Sequence, residues 1–365
     1  MTTPSLAEKP MASPAIPSLD GLRASSIAIV AASHCGLGAL IPGGLGVTIF
    51  FFLSGYLITT LLLREVADTG TINIGHFYLR RALRLYPPLI LTLAIAYTLV
   101  HFGVLGGSIT MAGFLSQLFY FANYYQLFFD AGGGVPDGTG ILWSLAVEEH
   151  FYLVYPLFLL GFIRYRRVSG LPVILALLCG AALLWRMHLA AGPDFFAART
   201  YYASDTRFDS ILFGCIFAVL SHQRPPDPYT TDTSARYWSL FVAGMVGIMV
   251  SVAYRGAFFR ETFRYTLQGI SLAPIFYFAL NARPTFVFRI LNSALFKRIG
   301  IYSYSIYLFH FIFLAALTRA LAGSSRPDLP PLLLFCLIMG GSCAFAFLVD
   351  TLIDPYFRRL RKILH

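Results

Sequence analysis

The stretch Ile141–Phe162, ILWSLAVEEHFYLVYPLFLLGF, is long enough to cross a bilayer and carries Glu148, Glu149 and His150 in its middle. About 20 apolar residues suffice for a helix to span the hydrocarbon. A charged side chain at the centre of such a span costs roughly 2.5–3.5 kcal/mol on insertion scales. Two adjacent carboxylates at that depth therefore need partners, a water-filled cavity or a chemical task.

The rest of the chain sets that span among others. Hydrophobic residues make up 57% of the sequence and charged residues 12%, against about a quarter charged in an ordinary soluble domain. Apolar runs near 24–41, 45–63, 82–103, 141–162, 171–191, 206–221, 238–253, 266–281, 302–319 and 331–352 predict ten transmembrane helices. The expected fold class is therefore all-α and polytopic. A further apolar, aromatic stretch, Gly113–Phe129, is expected either as an eleventh span or as a segment lying in the interface or folding back into the protein. Residues 1–18, rich in Pro, Ser and Ala, lack the basic and apolar regions of a cleavable signal and read as a disordered cytoplasmic tail. A single membrane domain over 19–355 and a basic cytoplasmic tail over 356–365 complete the expected organisation.

Loop charge sets orientation. Under the ten-span arrangement most of the 27 Lys and Arg, including Arg80, Arg81 and Arg84, Arg164, Arg166 and Arg167, and the C-terminal Arg358, Arg359, Arg361 and Lys362, fall on one side. The positive-inside rule then places both termini in the cytoplasm. An eleven-span arrangement keeps the 164–167 cluster cytoplasmic only by reversing the N-terminal half, and is set aside. The net charge of +10 is accounted for by these topogenic residues, so no nucleic-acid partner is expected.

Cys35, Cys179, Cys215, Cys336 and Cys343 form no C-x-x-C pair and lie in or beside apolar spans, which makes them small packing residues. Cys35 follows His34 directly, but neighbours on a helix point about 100° apart and do not face each other. No two histidines have metalloprotease spacing, and Asp350 and Asp354, which do, have no histidine beside them; no metal is expected.

The polar residues left inside the spans are few. Arg23 precedes His34 by 11 residues, three helical turns plus about 20°, so one face of an α-helix holds both, with a rise of about 16.5 Å between them. Arg81 and Arg84, at i and i+3, share a face at the mouth of the third span and are placed to grip phosphate, while the following Pro87-Pro88 pair fixes the backbone there. Arg207 and Asp209 read as a structural polar pair. Ser303, Tyr307 and His310 fall at i, i+4 and i+7 on one face of another span, and Ser144 lies four residues before Glu148.

In order along the chain stand Arg23 with ten residues between it and His34, Gly43-Gly44-Leu45-Gly46-Val47, Ile49–Ile58, Phe77–Arg84, Trp143-Ser144-Leu145-Ala146-Val147-Glu148-Glu149-His150-Phe151-Tyr152, and Tyr302–His310. Together these resemble the acyltransferase-3 family of integral-membrane O-acyltransferases, across nearly the whole chain from Leu19 to Phe357. One departure is local: the second carboxylate is followed by Gln in that family, and here by His150.

The resemblance implies a bacterial cytoplasmic membrane, a cytosolic acyl-CoA donor, most often acetyl-CoA, and an acceptor hydroxyl on a glycan, a lipid-linked sugar or a small molecule, with membrane lipids as surroundings. Arg81 and Arg84, with Arg23 as a third candidate, would hold the phosphates of CoA. His34 would act as general base on the acceptor hydroxyl, oriented by Glu148 or Glu149, of which at most one can face it. A covalent variant would use Ser54 or Ser144 as nucleophile, with Tyr307 and His310 as supporting residues. Some members carry an added hydrolase-like domain outside the membrane; no such segment stands in this sequence, and transfer is expected to finish within the membrane domain. A proton-coupled transporter or flippase also keeps Arg, Glu and His inside its spans and is the alternative, with a non-catalytic scaffold third.

Overall fold

The computed structural model describes residues 16–129, 133–165, 168–223, 235–282, 285–322 and 329–363. Among them the chain is all helical and forms no strand. In order, the helices are α1 Leu19–Ala32, α2 Gly43–Thr69, α3 Ile74–His101, α4 Met111–Leu118, α5 Ala122–Phe128, α6 Trp143–Tyr165, α7 Leu171–Ala190, α8 Ala197–Tyr202, α9 Ser204–Gln223, α10 Ala235–Ala253, α11 Ala257–Glu261, α12 Phe263–Asn281, α13 Phe286–Leu291, α14 Ala294–Ala322, α15 Pro331–Leu352 and α16 Asp354–Ile363. Each of the ten expected spans has its helix: α1, α2, α3, α6, α7, α9, α10, α12, α14 and α15. Six of these, α2, α3, α6, α7, α14 and α15, are long and apolar enough to cross a membrane, and Tyr237–Ala253 of α10 is apolar but shorter. Large apolar side chains such as Leu153, Val154 and Leu157 on α6 and Leu177 and Leu184 on α7 are exposed, as lipid-facing residues are. The protein is a polytopic membrane protein.

The stretch 113–129 is not an eleventh span. It forms α4 and α5, of 8 and 7 residues, each about 12 Å long at 1.5 Å per residue and far short of a bilayer core of about 30 Å. A bend at Tyr120, whose φ of 59° is left-handed, folds one helix back on the other.

At the centre α2 packs along α9 with little separation. A Cβ on Gly55 would run into the carbonyl of Ile211, and one on Gly214 into that of Phe52, so glycine at both positions lets the two backbones meet. Helix α9 tolerates its polar residues because Thr206, Arg207, Asp209 and Ser210 are all buried in protein. The expected Arg207–Asp209 pair does not form, since residues two apart on a helix do not face each other. Asp209 instead accepts from Arg186 of α7 at 2.7 Å, both side chains fully buried. The same guanidinium donates to the carbonyls of Thr206 and Thr262 and to Thr266 Oγ1. Arg207 lies 4.0 Å from the Tyr265 ring centroid, with Phe51, Trp143 and Tyr201 close by, and donates to Tyr201 O and Thr48 Oγ1.

One further expectation is altered. The first span is not α-helical throughout: α1 ends at Ala32 and passes into a π-turn over Ser33–Leu37, in which Gly36 has φ 92°. The residues of that turn that leave helical geometry, Cys35 and Gly36, follow His34, so the helical spacing between Arg23 and His34 is kept. Arg80, Arg81 and Arg84 lie within α3, which starts at Ile74. Pro87 and Pro88 are also internal. They have no N–H for the carbonyls one turn back, and beside them the Tyr304 hydroxyl donates to Leu85 O at 3.0 Å.

Of the tail 1–18, residues 1–15 lie outside the described residues, as do Arg166, Arg167 and Arg224 of the loop clusters. Ser18 is held by Asn292, which accepts from its N–H and donates to its hydroxyl. The C-terminal basic segment is helical as far as Ile363, where description ends.

Removing one member of a buried ion pair strands the other charge and typically costs about 3–5 kcal/mol, whereas an apolar pair of similar volume is tolerated. Asp209→Ala is therefore expected to lower the unfolding midpoint in detergent sharply. The double variant Arg186→Met, Asp209→Leu is expected to recover most of that loss in the same measurement.

Candidate functional site

Helices α1, α2, α3, α6 and α14 surround a cavity of about 110 Å³ whose wall includes Arg23, Ser54, Arg81, Arg84, Ser144, Glu148, Tyr152, Ser303, Tyr304 and Tyr307. Residues distant in sequence meet here because each sits on the inward face of its own helix. Ser144 and Glu148 are one turn apart on α6, Arg81 and Arg84 one turn apart on α3, and Ser303 and Tyr307 one turn apart on α14.

The two carboxylates divide the work. Glu148 Oε2 accepts from Ser54 Oγ at 2.8 Å and from the Tyr152 hydroxyl at 2.9 Å. Glu149 accepts from Arg81, Nε at 3.1 Å and Nη2 at 3.0 Å. The Arg81 guanidinium also lies over the Tyr152 ring, 3.1 Å from its centroid. The charge on Arg81 is thus already matched. Arg23 is held by Asp20 one turn back, at 3.3 Å. Arg84 makes no ion pair among the described residues, is exposed, and has Arg23, Arg81 and Arg361 within electrostatic reach. Among the three expected phosphate ligands, Arg84 is the one with its charge unmatched.

Neither carboxylate touches His34. The expected contact of Glu148 or Glu149 with His34 is not made: Glu148 is engaged by Ser54 and Tyr152, and Glu149 by Arg81. The partner of His34 is His310 of α14, with His34 Nδ1 3.0 Å from His310 Nε2 and the rings nearly parallel. The other nitrogen of His310, Nδ1, lies 2.8 Å from Tyr307 O and 3.2 Å from Ile306 O. Carbonyl oxygens only accept, so His310 Nδ1 carries the proton. In the neutral ring Nε2 is then an acceptor, and His34 Nδ1 must donate to it. That leaves the lone pair of a neutral His34 on Nε2, turned away from His310. His310 is fully buried and His34 only half so.

His34 is not in the wall of the arginine cavity. Between them stand Tyr307, whose ring is 5.7 Å from that of His310, and Ser144, whose hydroxyl is 2.6 Å from that of Tyr307. The Tyr307 hydroxyl donates to Ile141 O. Contacts thus run from His34 through His310 to Tyr307, which lines the space shared by Arg84 and Glu148. His150 faces elsewhere: its Nδ1 is 2.7 Å from Ser204 Oγ, and its ring packs on Phe121 and Tyr124.

On its other side Arg84, with Tyr304, enters the wall of a second cavity of about 310 Å³, bounded by Pro87 and Pro88 of α3, by α15 and by α16. Arg358 of α16 pairs with Asp350 and Asp354, and Arg361 pairs with Asp354 at 2.7 Å. The two cavities meet at Arg84 and Tyr304, forming an interrupted path from α16 inward to Tyr307.

Sequence reasoning missed Tyr152 and Tyr304 as cavity residues, since aromatic residues in an apolar run carry no mark of what they line. It missed Arg186 as the counter-ion of Asp209 for a related reason: nothing local links residues on different helices.

The family model described as an acyltransferase domain matches residues 16–351. The chain is 31% identical over 322 residues to the peptidoglycan O-acetyltransferase OatA of Listeria monocytogenes, covering 84% of this chain and 50% of that protein. It is 31% identical over 314 residues to the putative peptidoglycan O-acetyltransferase YrhL of Bacillus subtilis, covering 81% and 48%. The O-acetyltransferase OatA of Staphylococcus aureus is 31% identical over 319 residues, covering 81% and 50%. The chain spans about half the length of these relatives. No solved structure matches. On the match over 16–351 and on the motifs gathered around one cavity, the chain belongs to the acyltransferase-3 family.

Proposed function

We propose that this protein is a membrane O-acyltransferase that moves an acyl group, in the first instance acetyl, from cytosolic acyl-CoA to a hydroxyl of a cell-wall glycan. The names of its relatives point to peptidoglycan as that glycan. The observation that carries the reading is the histidine pair, in which His310 leaves the outward Nε2 of His34 free to take a proton, at the inner end of a path whose other end holds arginines.

A polyanion with a long thin arm and a thioester at its tip suits such a path. Arg84, without an ion pair among the described residues, would bind a CoA phosphate with Arg23 nearby, and the arm would run along Glu148 and Ser54 toward Tyr307 and Ser144. Both termini, and with them this arginine end, would lie in the cytoplasm, as the loop charges favour. A shift of the Tyr307 ring would bring the thioester to His34. The acceptor oxygen would then attack the thioester carbonyl while His34 Nε2 takes its proton. A C–O bond forms, the C–S bond breaks, and the CoA thiolate leaves and is protonated.

A second reading is favoured by one contact. Ser54 donates to Glu148 at 2.8 Å, the arrangement of a hydroxyl beside a base, so the acyl group would pass through Ser54 before reaching the acceptor. Ser144, engaged with Tyr307 and Ile141 O, suits that role less well.

Purified protein mixed with acetyl-CoA and a glycan acceptor is expected to release free CoA, and His34→Ala to abolish release while the protein keeps its gel-filtration profile. A transporter would release none. His310→Ala is expected to lower kcat by at least tenfold with the KM for acetyl-CoA unchanged, because it removes the acceptor that fixes the His34 tautomer and not a donor contact. Arg84→Ala is expected to do the reverse and raise that KM about tenfold or more, the loss of one charge-assisted hydrogen bond being about 1.5–3 kcal/mol. Brief exposure to radiolabelled acetyl-CoA followed by proteolysis decides between the two routes: label on the Ser54 peptide supports the covalent one, and its absence the direct one.

A further inference from the structure

A third cavity, of about 190 Å³, opens at the end of the bundle opposite Arg23 and Arg84. Its wall brings together the loop that follows the histidine segment, at Gly38 and Pro42, with Tyr201 and with Arg255, Arg260 and Arg264. From Arg23 the first span runs helically for nine residues to Ala32, about 14 Å, and then turns into the loop that holds Gly38. His34 lies between the two arginine ends.

Three guanidinium groups share this space, and no acidic side chain enters its wall. The acids nearest in sequence are engaged elsewhere. Glu261, beside Arg260, is buried and accepts from Thr200 Oγ1 at 2.7 Å. Asp205 is held by Arg199, Trp185 and Tyr124. Among the described residues none of the three arginines makes an ion pair. Arg264 donates from Nη2 to the Tyr265 hydroxyl, while its Nε is buried without a partner. Behind the wall Arg207 lies on the Tyr265 ring, so that a fourth positive charge backs the cavity. A buried guanidinium N–H with no acceptor, beside two exposed guanidiniums with no counter-ion, calls for an anion with several oxygens. The cavity is smaller than the roughly 300–1,000 Å³ that encloses a whole small ligand. It is sized for the charged end of something larger.

We infer that Arg255, Arg260 and Arg264 bind a phosphoryl group of the acceptor, placing the sugar hydroxyl near His34 from the side opposite the donor. The inference rests on the acyl-transfer reading for the acceptor's role, but the phosphoryl site stands or falls on binding alone. A phosphate ester of the glycan and the diphosphate of a lipid-linked glycan share this chemistry.

The test is a calorimetric titration of purified Arg84→Ala protein, in which the other arginine end is disabled, with inorganic diphosphate and with farnesyl diphosphate. Farnesol serves as the uncharged control. Saturable binding of either diphosphate, weakened at least tenfold by Arg255→Gln with Arg260→Gln, supports the site. Those two side chains are exposed, so the double variant keeps the fold, and a normal gel-filtration profile checks this. Equal affinity for both ligands points to a water-soluble phosphorylated acceptor; a marked preference for farnesyl diphosphate points to a lipid-linked one. Unchanged affinity in the double variant overturns the inference. So does a site already filled by phosphatidylglycerol, seen as loss of diphosphate binding in nanodiscs containing that lipid but not in phosphatidylcholine nanodiscs. Release of CoA by the wild type is scored separately: its absence beside intact diphosphate binding sinks acyl transfer and leaves the site, while the reverse result sinks the site alone.

Discussion

A charge taken out of water must be met by a partner or by a ligand, and in a bundle surrounded by lipid that constraint sorts the arginines of this protein. Arg186 spends its donors on Asp209, two carbonyls and a threonine. Arg81 is matched by Glu149 and lies on Tyr152, and Arg207 is enclosed by aromatic rings. These charges are met within the protein. Arg84 at one end of the molecule and Arg255, Arg260 and Arg264 at the other line cavities without an ion pair among the described residues. Arg84, Arg255 and Arg260 are exposed at the edges of these cavities, where a guanidinium without an ion pair can meet an anion.

The spans were legible because a run of about 20 apolar residues has few other uses, and α15 matches its expected bounds at both ends. Ser144, Glu148, Ser303 and Tyr307 were legible as candidates because polar residues at helical spacing inside such runs share a face, and all four reach the cavity. Partners were not. His310 lies 276 residues from His34, and nothing in the spacing of either distinguishes a histidine partner from a carboxylate. The adjacency of Glu148 and Glu149 made them look like the natural acids for His34, whereas Ser54, Tyr152 and Arg81 claim them through tertiary contacts.

The π-turn over Ser33–Leu37 was invisible for a different reason. Periodicity assumes a constant twist, and Gly36, at φ 92°, takes the chain out of the right-handed helix one turn before the span would otherwise end. His34 comes before that departure and keeps the helical spacing from Arg23, three turns further along the span. There its ring lies against His310 and Phe311, 5.3 and 4.4 Å between centroids. The left-handed glycine turns the chain, directly after the histidine segment, into the loop that holds Gly38 and Pro42.

The middle of the molecule, between its two arginine ends, is held by groups that are neutral in this arrangement: His34, His310, Ser144 and Tyr307, joined by hydrogen bonds. On the proposed reading the acceptor oxygen loses its proton in a layer without fixed charge. Where a carboxylate sits beside a catalytic histidine it fixes the tautomer and stabilises the imidazolium. Here a second neutral imidazole fixes the tautomer, and charge appears there only while the proton is in transit. Glu148, one cavity away and satisfied by Ser54 and Tyr152, leaves that layer free of fixed charge while lining the approach of the donor.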